Sequence, residues 1–399
     1  MEIKVSKEGL TKTGVILLLL SGLVFHDFFA LKYVKLGVIT ITYLRVILVV
    51  TIPVLLFFYK VRIRINDVFA CVFMIFMAYG LTRIEGNIKE AFALYCPIIA
   101  FFILYFSIDD KKIVEKCIDF LAVLFMFFCI VGLVELVFGF HFVETHLDLL
   151  EEEKCVACGM YFNENDFSAF LSVLTIYMLF SGFKRIVKLI FVCFAFVIIC
   201  VNQSIICVLG LASFALIAYI IAKKRNKTFR FISVLILILI LIKPGIDLIN
   251  SSSLWWRSYM YSLGIQNVLS HMLFGTGIGK YSEGMFELGF NQKFDSASAD
   301  PHNLFYELAG TFGIIWSILL IVLLFKLIVW NIKRASIKEN LFCFGLVYII
   351  PFVGLASSSC MEKNYIYLAL LIPLLYYRFF NCNSETVVHV KRYLAFTKS

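Results

Sequence analysis

The sequence predicts an all-α polytopic membrane protein: about twelve transmembrane helices, both termini cytoplasmic, and a large extracytoplasmic loop carrying a short interfacial helix. Three observations lead there. The 399 residues are 62% hydrophobic and only 16% charged, with a mean hydropathy of +0.94, whereas a soluble globular chain is about half apolar and about a quarter charged. Many apolar runs approach the ~20 residues that span a bilayer. The basic residues fall in short clusters between those runs, so the net charge of +9 points to no nucleic-acid partner.

The runs lie near 13–30, 36–59, 67–82, 91–107, 117–139, 165–182, 187–202, 204–222, 231–249, 303–330, 341–359 and 364–380. The first follows Lys4, Lys7 and Lys12 and resembles a signal sequence, but no small-residue cleavage site follows, so a retained span is expected. Residues 187–222 are too long for one crossing, and Asn202-Gln203-Ser204 is their polar interruption, so a tight turn is expected there. Cytoplasmic loops are rich in Lys and Arg. With the N-terminus inside, alternate loops carry Lys60-Arg62-Arg64, Lys111-Lys112-Lys116, Lys184-Arg185-Lys188, Lys223-Lys224-Arg225-Lys227 and Lys333-Arg334-Lys338, and the tail at 381–399 adds Lys391 and Arg392. An even number of spans follows, within a single integral membrane domain over 1–399.

Two outer loops are long. The first, 140–164, contains His141, Glu144, His146, Asp148 and Glu151-Glu152-Glu153, and also Cys155 and Cys158, for which a local disulfide and a free pair are both open. The second, 250–302, opens with serines suited to helix capping and with Trp255-Trp256, suited to the membrane interface. A surface helix is expected over 254–273, with Arg257, Tyr261 and His271 near one face; Gly275, Gly277 and Gly279 then end it. Asp300 is a strong N-cap and Pro301 favours the first helical position. That places His302 and Asn303 in the first turn of the tenth span, where free N–H groups and the helix dipole favour an anion such as a phosphate. Arg45 falls about halfway along the second run, a costly place for a charge; a bundle-facing ion pair with an acid such as Glu135, or contact with an anionic ligand, would each account for it.

Several of these stretches together resemble the O-antigen ligase and polysaccharide polymerase (Wzy-type) family. They are Arg257 early in the second outer loop, the glycine cluster GTGIGKY at 275–281, His302-Asn303, and a following span with Gly310 and Gly313. GMYFNENDFSAFL at 159–171 is similar to the family's glycine–aromatic–Asn-x-Asn stretch, with Asn163 and Asn165 in the Asn positions. Departures exist. Glu164 stands where the family commonly has Pro, Ile205 follows Ser204 where an Arg is frequent, and no acid directly precedes Gly313.

The resemblance implies glycans carried on undecaprenyl diphosphate, handled at the outer face of a bacterial cytoplasmic membrane by a metal-independent inverting glycosyltransferase. His302 would be the base and Arg257 would hold the diphosphate. Asn303, Arg45, Asn163, Asn165, Tyr261 and Gly277 would contact substrate. No cofactor is implied, and the six histidines are too scattered to spell a metal site. Membrane lipids, and the flippase and chain-length regulator of the same pathway, are the partners implied. A polymerase extends one lipid-linked repeat unit with another; a ligase moves the finished glycan to a terminal acceptor; both stay open, with the polymerase favoured. The reading from another class is a flippase for the same lipid-linked units. Such transporters keep polar sites near the midplane and often show related halves, whereas this chain shows no internal repeat and concentrates its polar residues at the outer face.

Overall fold

The computed structural model describes residues 7–25, 35–36, 39–40, 42–55, 59, 68–84, 88–143, 145, 155–222, 252–278, 280–288, 303–333, 338–356 and 363–379. Almost all of them are helical. The helices are α1 Lys7–Val24, α2 Tyr43–Pro53, α3 Val68–Leu81, α4 Ile88–Ser107, α5 Lys111–Phe138, α6 Glu164–Phe180, α7 Arg185–Val201 and α8 Ile205–Ala222. After them come α9 Ser252–Ser270, α10 Tyr281–Glu287, α11 Leu304–Phe312, α12 Ile314–Ile332 and α13 Lys338–Ala356, then α14 over 364–379. Among the described residues α5, α12 and α13 are long and apolar enough to cross a membrane, and α1, α2, α4 and α8 contain shorter apolar stretches.

Each apolar run that falls within the described residues holds a helix, and the ninth run, 231–249, lies outside them. The core sits where these helices meet. Gly345 of α13 brings Phe214 of α8 and Ile176 of α6 against it, and Phe128 of α5 packs edge-on to Phe170 of α6 with ring centroids 4.9 Å apart. The turn at 202–204 is present: Gln203 takes a left-handed φ of 56° and α8 starts at Ile205. Ion pairs lace one end of the bundle. Lys12 meets Asp109 at 2.8 Å and Lys111 meets Glu339 at 2.6 Å, while Arg378 of α14 donates to the carbonyls of Tyr105 and Ile108 at the end of α4. That end collects the basic starts of α5, α7 and α13.

Two expectations change. The second run does not form one helix over 36–59. Lys35–Leu36 and Ile39–Thr40 pair as a short antiparallel ladder (β1 and β2), and α2 begins only at Tyr43, with Thr42 as its N-cap. Arg45 is therefore in the first turn of α2, not halfway along a span. The tenth run, 303–330, is two helices. The chain bends at Gly313, whose φ is 95°, and turns back far enough for Ser317 Oγ to donate to the Phe305 carbonyl at 2.9 Å; twelve residues of straight helix would hold those positions roughly 18 Å apart.

The bend is enforced from outside. A Cβ at Gly313 would run into the carbonyl of Leu273, and Gly313 has a backbone conformation that L side chains rarely adopt. Phe312 and Trp316, on either side of it, pack on Phe76 of α3 with centroids 4.7 and 4.9 Å apart. Replacing Gly313 by Val should therefore destabilise the protein, by about 1–3 kcal/mol for the backbone strain alone, with the clash in addition. Gly14 is a fair contrast: it lies in α1 with nothing within 4 Å of its would-be Cβ, so Gly14→Ala should hold or raise stability. Thermal unfolding in detergent of the two variants beside wild type checks this, and a Gly313→Val midpoint equal to wild type would show that the bend is not required.

Candidate functional site

α9 is built as a surface helix. Met260, Leu263, Gly264, Asn267 and Val268 are buried, the i, i+3, i+4 spacing of one packed face. That face meets α10 and α11, with Tyr281 and Met285 in the same small cluster. Ile265 and Leu269 are exposed on the other side, as are Met272, Leu273 and Phe274 just beyond the helix. An exposed apolar edge of this kind suits the boundary between water and lipid.

The chain leaving α9 is stitched to the bend between α11 and α12. Thr276 N–H donates to the Gly310 carbonyl at 2.6 Å, Gly277 N–H to Thr311 at 3.0 Å and Ile314 N–H to Met272 at 2.9 Å. Gly275 fits because a side chain there would strike the backbone of Thr311. Gly277 has a φ of 91°. From the other side α3 holds the same segment: Tyr79 OH donates to the Phe274 carbonyl at 2.8 Å, Arg83 Nη2 to Gly275 at 2.9 Å, and the Arg83 carbonyl accepts from Ile278 N–H at 2.8 Å.

Asn303 is buried and is itself the N-cap of α11: its Oδ1 accepts from Phe305 N–H at 2.9 Å and Tyr306 N–H at 3.3 Å. This corrects the expectation that Asp300 caps the helix with Asn303 in its first turn. Asn303 satisfies the first free N–H groups of α11 with its own side chain. His302 precedes this cap in sequence and lies outside the described residues, as does Gly279. Tyr261 reaches α11, its ring lying edge-on to Tyr306 with centroids 5.5 Å apart. Arg257 is on α9 four residues, about one turn, before Tyr261. His271 is exposed in the turn after α9, where its Nδ1 lies 3.3 Å from the Asn267 carbonyl.

Asn163 and Asn165 belong to a second group, at the start of α6. Asn163 is the N-cap of α6, and its Oδ1 accepts from Asn165 N–H at 2.7 Å. The segment leading to them is held from beneath. Glu135, buried near the end of α5, accepts from the N–H groups of Phe142 at 3.1 Å, Cys158 at 2.8 Å and Gly159 at 2.6 Å. Asn202, in the turn between α7 and α8, exchanges two bonds with the backbone of Ala157 at 2.8 and 2.7 Å and donates to the Glu164 carbonyl at 3.2 Å. The Glu135 carboxylate is thus committed to backbone N–H groups and does not pair with Arg45. Cys155 and Cys158 are both free thiols, the first exposed and the second buried.

Close by, Lys363 meets the buried Asp166 at 3.2 Å, and Tyr161 OH donates to Asn364 Oδ1 at 2.8 Å. Sequence places Asn202 in a turn without giving it a partner, and it singles out none of Asp166, Lys363 and Arg83. Asp166 and Asn202 were inside or beside apolar runs, where an isolated polar residue is a usable signal. Lys363 and Arg83 looked like ordinary loop charges. Among the described residues no group of three or more His, Cys, Asp or Glu could share a metal ion.

No family model matches the chain, and no curated protein is significantly similar to it.

The polar clamp on the 155–164 segment has a direct consequence. Glu135→Gln leaves one acceptor oxygen and turns an NH2 toward N–H donors, so either Phe142 N–H or the Cys158 and Gly159 N–H groups lose their acceptor, at a cost of about 1–3 kcal/mol. Glu135→Ala removes both oxygens, and in that variant amide hydrogen exchange at Cys158 and Gly159 should become faster while exchange in α12 stays as in wild type. Unchanged exchange at Cys158 and Gly159 in Glu135→Ala would mean that the carboxylate does not hold the segment.

Proposed function

We propose that this chain polymerises undecaprenyl-diphosphate-linked oligosaccharide repeat units into a surface polysaccharide, such as a capsule, O-antigen or exopolysaccharide. In this reading it spans a bacterial cytoplasmic membrane about twelve times with both termini inside. Its partners are lipid-linked glycans and the flippase and chain-length regulator of the same pathway. The observation that carries the reading is a meeting of distant stretches. The glycine cluster at 275–277 and the segment that follows His302, together the core of the family resemblance, are hydrogen-bonded to one another, and α9, which bears Arg257, packs on α11 through Tyr261 and Tyr306. The exposed apolar edge of α9 and 272–274 supports the reading, because such an edge suits the membrane boundary at which a lipid-linked substrate would present its headgroup.

The chemistry is one displacement. An acceptor hydroxyl oxygen attacks the anomeric carbon of the donor glycan. The bond from that carbon to the diphosphate oxygen breaks, the lipid diphosphate leaves with the electron pair, and the anomeric configuration inverts. His302 takes the hydroxyl proton. Arg257 meets the growing charge on the diphosphate with paired hydrogen bonds. Asn303, engaged as the helix cap, fixes the start of α11. Tyr261 and Gly277 shape the same unit, while Asn163 and Asn165 line the outer face at α6.

Loss of a positioned general base costs ~10²–10⁴ in rate. His302→Ala should therefore nearly abolish chain growth with the protein present in the membrane at its normal level. Arg257→Lys should fail as well, because lysine keeps the charge but not the planar fork. Gel analysis of glycan from cells carrying each variant in place of the wild-type gene provides the check. Single repeat units on the carrier are expected; full-length but unattached chains would indicate a ligase, and wild-type ladders from His302→Ala would remove His302 from the mechanism.

A further inference from the structure

The start of α7 runs against ordinary helix electrostatics. A helix N-terminus is the positive end of the dipole and favours acidic residues and side-chain caps. Here Lys184 is the N-cap and makes no side-chain cap bond, the first turn holds no acidic residue, and Arg185 and Lys188 stand in it. Lys188 turns its amine back to the end of α6, donating to the carbonyls of Ser181 at 2.5 Å and Leu179 at 3.1 Å. Lys184 and Arg185 are exposed, and among the described residues neither side chain has a hydrogen bond, an ion pair or a ring contact. Asp119 of α5 accepts from Gly182 N–H at 2.7 Å, and its charge falls on Lys188, where that of Lys338 opposes it. Basic residues are expected in the loops at this end, but Lys12 and Lys111 there have acidic partners, Asp109 and Glu339.

The helix that follows is open on one side. α7 buries Ala195, Ile198 and Ile199, and a Cβ at Gly132 of α5 would touch Ile198 at 3.0 Å. On the other side Ile186, Leu189, Ile190, Cys193, Val197 and Val201 are exposed, an i, i+3, i+4, i+7 stripe along the whole helix. Ile186 and Leu189, 60% and 58% exposed, come directly after the two cations, and Arg185 stands one turn before Leu189 on the helix surface. Two cations at the end of an unbroken apolar stripe fit a molecule with an anionic head and hydrocarbon tails. A soluble anion would use the cations alone and gain nothing from the stripe. A zwitterionic head brings its own ammonium group, which the pair repels. Basic clusters at membrane boundaries select anionic headgroups in this way.

We propose that the start of α7 binds one anionic phospholipid of the leaflet at this end of the bundle, with its phosphodiester at Lys184 and Arg185 and its acyl chains along the stripe from Ile186 to Val201. The bound phosphate supplies the negative charge that the first turn of α7 lacks. The site stands or falls independently of the reaction proposed above.

Native mass spectrometry of the full-length protein, titrated in detergent with phosphatidylglycerol or phosphatidylethanolamine of the same acyl chains, tests it. Wild type should retain one phosphatidylglycerol about tenfold more tightly than the zwitterionic lipid. Lys184→Gln combined with Arg185→Gln, two exposed changes that leave the core untouched, should bring the two lipids to within about twofold of each other. Lys333→Gln, at an exposed cation of the same end, should leave the preference as in wild type. Leu189→Gln with Ile190→Gln should weaken both lipids. Equal retention of the two lipids by wild type, or a preference that survives the double charge variant, would overturn the proposal. An equal loss in Lys333→Gln would do so too, by making the effect one of diffuse charge. So would displacement of phosphatidylglycerol by a matching concentration of glycerol phosphate, which would give the cations to a soluble anion.

Discussion

The bend at Gly313 is the constraint on which the packing of α9, the glycine segment and α11 depends. A bilayer-spanning helix normally satisfies all of its backbone groups internally, and a break exposes some of them. Here the exposed groups are met by the chain that leaves α9: the carbonyls of Gly310 and Thr311 accept from Thr276 and Gly277, and Ile314 N–H donates back to Met272. The bend thus creates the bonding surface that receives the glycine segment. The glycines in turn let two backbones approach more closely than any side chain would allow. Once this seam is closed, α9 has one place to lie, with Tyr261 against Tyr306 and its apolar edge outward.

The group at the start of α6 is made differently. Its strong interactions run from single buried polar side chains to backbone. Glu135 and Asn202 each gather several groups of the 155–164 segment. A buried carboxylate that accepts three N–H groups is well satisfied without a cation, so Glu135 is explained by architecture, and the role the sequence suggested for it with Arg45 is unnecessary. The same reasoning applies to Asn163 and Asn303, both of which are helix caps in the structure. Capping and substrate contact are compatible, because a cap occupies the amide oxygen and leaves the amide nitrogen, but the cap is the part that the geometry displays.

Much of the helical layout was legible because hydrophobic runs of near-constant length leave few alternatives. The turn at 202–204 and the bounds of α3, α4 and α6 through α8 follow within a few residues from where polar residues interrupt apolar ones, while α5 starts at Lys111, ahead of the apolar run expected from 117, and the helix expected over 254–273 spans Ser252–Ser270. The break at Gly313 was not legible, since Thr311-Phe312-Gly313-Ile314 reads as continuous apolar helix and a lone glycine is tolerated in one; the partner segment that demands the bend lies about forty residues away in sequence. The short β1–β2 ladder escaped for a related reason: Lys35-Leu36 and Ile39-Thr40 have β-branched and apolar character that also suits a span. Asn163 and Asn303 stood out as polar residues where apolar helices begin. The bonds of Asn202 to the 157–164 segment, the grip of Arg83 on the glycine segment and the Asp166–Lys363 pair were not legible, because their partners are distant in sequence.

Chain extension is the function we propose for the unit of α9, the glycine segment and α11, and reconstitution tests it directly. Purified protein in liposomes, supplied with undecaprenyl-diphosphate-linked repeat units and no other enzyme, should yield glycans of two or more repeats together with free undecaprenyl diphosphate, one per linkage formed, with the anomeric configuration at each new linkage inverted. Units that cross the bilayer unextended, with no lipid diphosphate released, would contradict the assignment and make the protein a transporter.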